Sequence, residues 1–584
     1  MSDLPLASPP PAAVRLLPEV TLRHGWAGMF NRPLSPRTAS LVIALWVTLV
    51  GNVSLWSALH KLAGEGEMGR RPLLLGIAIA FMVYGATATL FSVFAGRRVF
   101  KPAMVVLLLV AGSVQHFMLA YGIVIDPGMV ANVMQTNATE ARDLVGLNLF
   151  GQLLLVAGPP VVWLYRLHLK PQRAWAAIWR NLLFSLVVLA LTLGATLGMY
   201  RELAPLLRNH LDLRFNVNPV APVVSALSAV TKPWRKHRMG PLVTMTAGAA
   251  LGPSYALAAN AARPPLFVVV VGETARADHF GLNGYARDTT PALAQRGVIS
   301  FTDVHSCGTN TLHSVPCMFS PLGKAGWEGR KAETENLTDV LQASGLAVLW
   351  LDNQAGCKGV CARVPNQSTG TAFAPAAEAS RTLCAEGECL DRVMLAGLDE
   401  RIAGLPAERR ARGVVVVMHM MGSHGPAYWR RSAPDTKRFS PECATQALAQ
   451  CDHQALINVY DNSIAETDRF LAATIDWLEA RRERYAPGML YVSDHGESLG
   501  EYGMYLHGVP YAFAPEVQKH VPMVLWMDPR LAARSHTDLR CLDRRRNVAL
   551  THDNLYPSVL GVMDVASPTY KPALDAIAPC RGVG

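Results

Sequence analysis

Apolar and polar positions divide this chain into two parts with different solvents. In the first 200 residues, long uncharged runs recur at Leu41–Leu59, Pro72–Ala95, Ala103–Val124, Leu149–Leu167 and Asn181–Tyr200. Each is long enough for a helix to cross a hydrocarbon core of about 30 Å, which takes roughly 20 residues. The pattern predicts five membrane spans. Pro159 and Pro160 interrupt the fourth, a break that membrane helices tolerate where neighbours satisfy the freed carbonyls. Met1–Pro36 is polar and proline-rich, without the short apolar region of a cleaved signal, so the first span is expected to be retained.

From Leu266 onward the period changes. Short β-branched runs at Leu266–Val271, Ala347–Leu351, Gly413–Met418 and Met489–Val492 alternate with helical stretches. Continuous apolar strands between helices predict a mostly parallel sheet covered on both faces, an α/β domain. Between the two parts, Arg201–Pro265 reads as an amphipathic connector. Its Lys232–Arg238 cluster joins a tryptophan to basic residues, as a segment lying on anionic headgroups requires. The organisation is thus an N-terminal segment (1–36), a membrane domain (37–200), a connector (201–265) and a globular domain (266–584).

Charge sets the orientation. Arg15, Arg23, Arg32 and Arg37 precede the first span, Arg97, Arg98 and Lys101 separate the second from the third, and Arg166, Lys170 and Arg173 separate the fourth from the fifth. These flanks are expected on the cytoplasmic side, which leaves everything after Tyr200 outside. Cysteine usage agrees with that topology. All ten cysteines follow residue 300, in close pairs at 307/317, 357/361, 384/389 and 443/451, with Cys541 and Cys580 left over. An even count on the predicted exterior reads as five disulfides. A zinc–cysteine site at Cys357 and Cys361 is the competing reading, but no second half lies nearby. The net charge of +10 points to an anionic membrane surface rather than nucleic acid, since no basic–aromatic nucleic-acid motif accompanies it.

In parallel sheets, ligands bind beyond the carboxyl ends of the strands. Those ends carry Glu273, Asp352, His419, His424 and the pair Asp494-His495, so distant positions can converge on one metal-binding volume. His507 is a further candidate. The segment Cys307-Gly-Thr-Asn-Thr-Leu-His-Ser-Val-Pro-Cys317 holds hydroxyls in a loop stapled at both ends, fit to aim a nucleophile at phosphorus. Spacing alone leaves Thr309, Thr311 and Ser314 open. After the third span, Asp126-Pro127 is a helix start, and Asn132, Thr136 and Glu140 follow at i, i+4 and i+8 as one polar stripe.

The chain resembles the lipid A phosphoethanolamine transferases, which include the mobile colistin-resistance enzymes. The resemblance rests on Val271-Gly-Glu-Thr-Ala-Arg-Ala-Asp-His279, the Cys307–Cys317 segment, Cys357-Lys-Gly-Val-Cys361, Gly422-Ser-His-Gly-Pro426, Ser493-Asp-His-Gly-Glu-Ser498 and His507-Gly-Val-Pro-Tyr511. It implies an alkaline-phosphatase-like, sulfatase-type periplasmic domain on five helices in a bacterial inner membrane. It also implies zinc at Glu273, Thr311, Asp494 and His495, with Thr311 as the nucleophile. Lys358, His419, His424 and His507 are then expected around the substrate headgroup or a second zinc, and Asn132, Thr136 and Glu140 at the donor headgroup. The implied reaction moves phosphoethanolamine from phosphatidylethanolamine to lipid A in a monomeric enzyme. Transfer to a core sugar or periplasmic glucan is the nearest alternative. Simple hydrolysis fits poorly with five spans and a headgroup stripe.

Overall fold

The structure is a computed structural model. It describes residues 33–582 apart from 65–71, 97, 137–140, 143, 171–173, 199–202, 204–205, 208–209, 237–239, 258–259, 261, 370–382 and 386–387. The N-terminal segment before residue 33, Glu140, and the side chains of the Lys232–Arg238 cluster lie outside this description.

In the membrane part, α1 (Pro36–Val50) and α2 (Val53–Gly64) form one pair bent by 51°. Two straight helices follow, α3 (Pro72–Val93) and α4 (Phe100–Tyr121), and then a short α5 (Pro127–Val133). A second bent pair comes next, α6 (Leu147–Val156) and α7 (Gly158–Arg166), at 45°, and α8 (Ala174–Gly198) completes the set. Among the described residues three helices are individually long and apolar enough to span, and five spans result when each bent pair counts as one. The proline break in the fourth span was legible in the sequence. The break in the first was not.

That first break falls at Gly51–Asn52 and is held by side-chain amides. Asn52 Nδ2 donates to the carbonyls of Val47 (2.9 Å) and Asn218 (2.8 Å). Asn218 Nδ2 donates to those of Gly51 (2.8 Å) and Ala111 (2.7 Å). Gln115 Nε2 serves Val50 O at 2.7 Å, and its Oε1 accepts from Val53 N–H at 2.9 Å. Away from water a broken helix needs such partners for its freed backbone groups. The connector thus contributes Asn218 to the bend, and its helix α9 (Val220–Lys236) follows directly.

The predicted α5 begins as expected: Asp126 caps it by accepting from Met129 N–H at 2.7 Å, with Pro127 in the first position. It does not carry the whole polar stripe. The helix ends at Val133, so Thr136 lies beyond it, with its hydroxyl bonded back to Asn132 O at 3.1 Å. Such local bonding competes with helix continuation.

Among the described residues, the globular part is built on a seven-stranded sheet. Its strands are β1 (Pro265–Gly272), β2 (Ile299–Phe301), β3 (Ala347–Asp352), β4 (Asn366–Ser368), β5 (Val414–His419), β6 (Ala486–Ser493) and β7 (Met523–Met527), in the order β2-β7-β6-β1-β5-β3-β4. The four strands read from the sequence form the parallel centre, and β7 and β2 add an antiparallel edge. Alternation along β1 sends Val268 and Val270 to one core, with the long helix α11 (His453–Glu479) packed there, and Val269 and Val271 to the other. The helix α10 (Thr311–Met318) lies on the second side. Five disulfides form: four join the close pairs expected from spacing, and the fifth joins the two remaining cysteines, Cys541 and Cys580.

Candidate active site

The carboxyl ends of β1 and β6 lie side by side, with Ser493 in register with Gly272. The chain turns sharply after β1. Thr274 has a φ of 53°, unusual for a β-branched residue, and the turn is secured by Tyr460 of α11, whose hydroxyl donates to Thr274 O at 2.7 Å. Gly422 packs against this turn with φ +50, where a Cβ would stand 2.6 Å from Glu273 O. Only glycine fits both the space and the backbone angle. Glu273 is thereby aimed at Asp494 and His495.

Opposite them sits the stapled loop. Asn310 caps α10 by accepting from His313 N–H at 3.0 Å, which makes Thr311 the first helical residue. Pro316 lies inside this helix instead of ending it. The loop's hydroxyls have separate fates. Thr309 donates to Val509 O at 2.6 Å and Ser314 to Asp494 O at 2.5 Å, whereas Thr311 donates to Glu273 Oε2 at 3.1 Å and lies 3.4 Å from His495 Nε2. Of the three candidates, Thr311 alone has its hydroxyl among the ligand-type side chains.

The donor atoms form a compact group. His495 Nε2 is 3.4 Å from Glu273 Oε1 and 3.3 Å from Asp494 Oδ2. Ligands on a tetrahedral ion with bonds of about 2.0–2.1 Å lie about 3.3–3.4 Å apart, so these separations fit one small divalent cation. The second contacts agree. Asp494 Oδ1 accepts the amides of Thr274 (3.3 Å) and His495 (2.8 Å), while Oδ2 is buried and accepts no hydrogen bond. His495 Nδ1 lies 3.0 Å from Gly496 O, which places the proton on Nδ1 and leaves the Nε2 lone pair facing the group. All four residues are buried.

A second trio, Glu273, His424 and His507, also brings its ligand atoms within 4.8 Å of one another. The His507 ring stacks at a tilt on His495 (4.4 Å between centroids) and edge-on to His424 (5.3 Å). Burial lowers the His507 pKa to about 4 and pushes that of His424 well below its ordinary value, with nearby cationic groups, Lys358 among them, adding to the second shift. Both rings are neutral at pH 7, able to ligate a cation or accept a proton. Lys358 sits in the Cys357–Cys361 loop and donates to Ala355 O at 2.9 Å. His419 is engaged elsewhere: its Nδ1 meets Asp352 Oδ2 at 3.1 Å across neighbouring strands, and its buried Nε2 has no hydrogen-bond partner.

Two groups escaped the sequence reading. Glu497 is fully buried beside His507, with Oε2 3.3 Å from Nδ1, and burial raises its pKa well above the carboxylate range. It stands in the Ser493–Ser498 motif, so its position was visible and its partner was not. Tyr460 stands mid-helix with no local signal at all. The membrane part also reaches this site: Met129 of α5 packs against Gly508, next to His507, so Asn132 lies one helical turn from that contact.

Known proteins match the chain along most of its length. The family described as Sulfatase matches residues 265–565, and that described as Phosphoethanolamine transferase EptA/EptB matches residues 83–233. Over 558 residues the chain is 36% identical to phosphoethanolamine transferase EptA of Escherichia coli (strain K12), spanning 93% of this chain and 96% of the relative. The chain belongs to the phosphoethanolamine transferase family. Another relative, phosphatidylethanolamine transferase Mcr-1 of Escherichia coli, is 33% identical over 545 residues, 93% of this chain and 97% of its own. The solved structure of the integral membrane protein lipooligosaccharide phosphoethanolamine transferase A (EptA) from Neisseria meningitidis matches with a TM-score of 0.84 at 31% identity, covering 94% of this chain and 100% of that one. This transferase therefore joins a sulfatase-type α/β domain to a helical membrane part, as its motifs implied.

Proposed function

We propose that this protein transfers phosphoethanolamine from phosphatidylethanolamine to a phosphate of lipid A through a covalent intermediate on Thr311, a modification that confers polymyxin resistance. It would act from a bacterial inner membrane, with its α/β domain in the periplasm. The observation that carries this reading is the convergence of the Thr311 hydroxyl with Glu273, Asp494 and His495 in a chain of this family. Zinc suits the donor set of two carboxylates, one imidazole and one hydroxyl. Bound there, it would favour the ionised hydroxyl and polarise the phosphoryl oxygens.

The chain's own residues do the rest. Thr311 Oγ1 bonds to the donor phosphorus as the bond from phosphorus to the diacylglycerol oxygen breaks. The hydroxyl proton leaves toward Glu273 Oε2 and ends on that departing oxygen. A monoprotonated phosphate monoester of lipid A then bonds to phosphorus, the bond to Thr311 breaks, and the acceptor's proton returns to Thr311. Rigid placement of the nucleophile by the capped helix and the Cys307–Cys317 bridge supplies much of the rate. Asn132 and Thr136 are the described part of the donor-headgroup stripe, with Glu140 supplying the counter-charge to the ammonium. Lys358, His424 and His507 complete the substrate surroundings or a second metal site, while His419, buried and bonded to Asp352, is left outside them.

Mass spectrometry of lipid A from cells expressing the wild type or Thr311→Ala tests the reading. Added phosphoethanolamine is expected in the first and absent in the second, with the group found on the Thr311 peptide of the purified wild type. Unmodified lipid A with modified core sugar or glucan would replace the acceptor. Persistent transfer by Thr311→Ala would remove the nucleophile.

A further inference from the structure

A cavity of about 820 Å³ lies where the outer ends of α4 and α6 meet the α/β domain. Its walls include His116 of α4 and Asn148, Gly151, Gln152 and Leu155 of α6, and its roof is the Thr445–Gln450 stretch, inside the loop closed by Cys443–Cys451. The seam is joined by Tyr121, whose hydroxyl donates to Gln446 O at 3.3 Å.

Three features define what fits here. Asn148, Gln152 and Leu155 share one face of α6, with the amides at the outer end and the apolar residue deeper, a polarity gradient along the membrane normal. Among the described residues, no acidic or basic side chain lines the cavity apart from His116, which disfavours a metal ion. Third, His116 is only 9% exposed and meets Phe117 and Tyr121 edge-on. Among the described residues, neither its ring nor the side-chain amides of Asn148, Gln152 and Gln450 are hydrogen-bonded within the protein. Of these four only His116 is buried, so its ring is the group for which a missing partner is costly.

We propose that this cleft holds one diacyl glycerophospholipid of the outer leaflet as a resident lipid, wedged between the membrane helices and the α/β domain. Its acyl chains would run along Leu119 and Leu155, and its phosphate and ester oxygens would accept from His116 and the amides. The uncharged lining recognises the glycerophosphate part common to phospholipids rather than a particular headgroup. A cleft of this volume lies within the usual range for a small-ligand site, about 300–1,000 Å³. The proposal is independent of the transfer reaction, since none of these residues belongs to the Glu273–His495 group.

The test uses the full chain in nanodiscs of phosphatidylethanolamine and phosphatidylglycerol, with a trace of phosphatidylcholine carrying a photoreactive acyl chain. Adducts are expected to concentrate on the 116–121 and 147–155 peptides. A Cβ at Gly151 meets nothing within 4 Å, so Gly151→Phe grows from open space in the cleft wall and should cut those adducts about tenfold. Labelling of α3 at Leu73 and Ile77, both lipid-exposed, should stay unchanged. Gln152→Leu, which keeps the helix and removes one amide, should give a smaller fall. Even labelling of all lipid-facing helices would mean annular contact only and overturn the proposal. So would cleft labelling that survives Gly151→Phe, or labelling by a phosphatidylethanolamine probe but not by phosphatidylcholine, which would make the cleft a donor station.

Discussion

Ser314 Oγ donates to the main-chain carbonyl of Asp494 at 2.5 Å, tying the helix that Thr311 opens to the strand end that bears the metal-type ligands. His552 reinforces the tie. Its Nε2 lies 2.9 Å from Ser493 O, and its Nδ1 receives the Cys307 amide at 3.1 Å and stands 3.2 Å from Ser314 Oγ. These partners assign the ring's single proton to Nε2. His552 therefore positions Thr311 against Glu273 without touching either.

Removing that clasp should slow turnover more than it weakens substrate binding. His552→Ala is expected to lower kcat by about 10–100-fold with a much smaller change in KM, the scale at which outer partners of a metal site act. His552→Gln, which keeps a donor, should recover part of the loss. Steady-state kinetics on the full chain check this. An unchanged kcat in His552→Ala would show that the loop needs no such clasp.

The same histidine gives a pH dependence of stability. In the unfolded chain it titrates near 6.5, and burial lowers its folded pKa to about 3. Between those values the unfolded chain holds the extra proton, so acid favours unfolding. The contribution is absent above pH 6.5 and grows by about 1.4 kcal/mol per unit as pH falls toward 3. The thermal midpoint should drop across this window, and His552→Gln should show a shallower drop by about one proton's worth. Parallel profiles for the two proteins would contradict the assignment.

Metal content should follow the donor group residue by residue. Glu273→Ala and Asp494→Ala each remove a carboxylate whose neighbours stay in place, and bound metal is expected to fall by at least about tenfold. Thr309→Ala is the matched control, because that hydroxyl is committed to Val509 O. It should retain metal and covalent labelling of Thr311. Elemental analysis of the three purified variants separates these outcomes.

In the membrane part, Asn218→Ala removes two amide donations, to the carbonyls of Gly51 and Ala111, each worth about 0.5–1.5 kcal/mol. Asn52→Ala acts on the same network, so the double variant should lose less than the sum of the two singles. Thermal unfolding in detergent measures both. Strict additivity would mean that the two amides act independently.

The sequence by itself determined the two solvents of this chain, the four parallel strands, the candidate ligands at their ends and the four close cysteine pairs. Those features are written in local period and spacing: an apolar run of span length, a β-branched run of strand length, two cysteines a few residues apart. The start of α5 was equally local, since a cap and a proline suffice to begin a helix. Its end was not, because Thr136 turned its hydroxyl back on Asn132 and left the polar stripe off a single helix. Only the tertiary structure decided which hydroxyl of the stapled loop faces Glu273, since Thr309, Thr311 and Ser314 differ in partners 38 to 200 residues away and not in local pattern. It likewise supplied Tyr460 behind the Glu273 turn, Glu497 beside His507, and Asn218 at a helix break that no proline marks. A buried polar group is satisfied by whichever donor the fold brings to it, and that choice depends on distances in space that the order of residues does not encode.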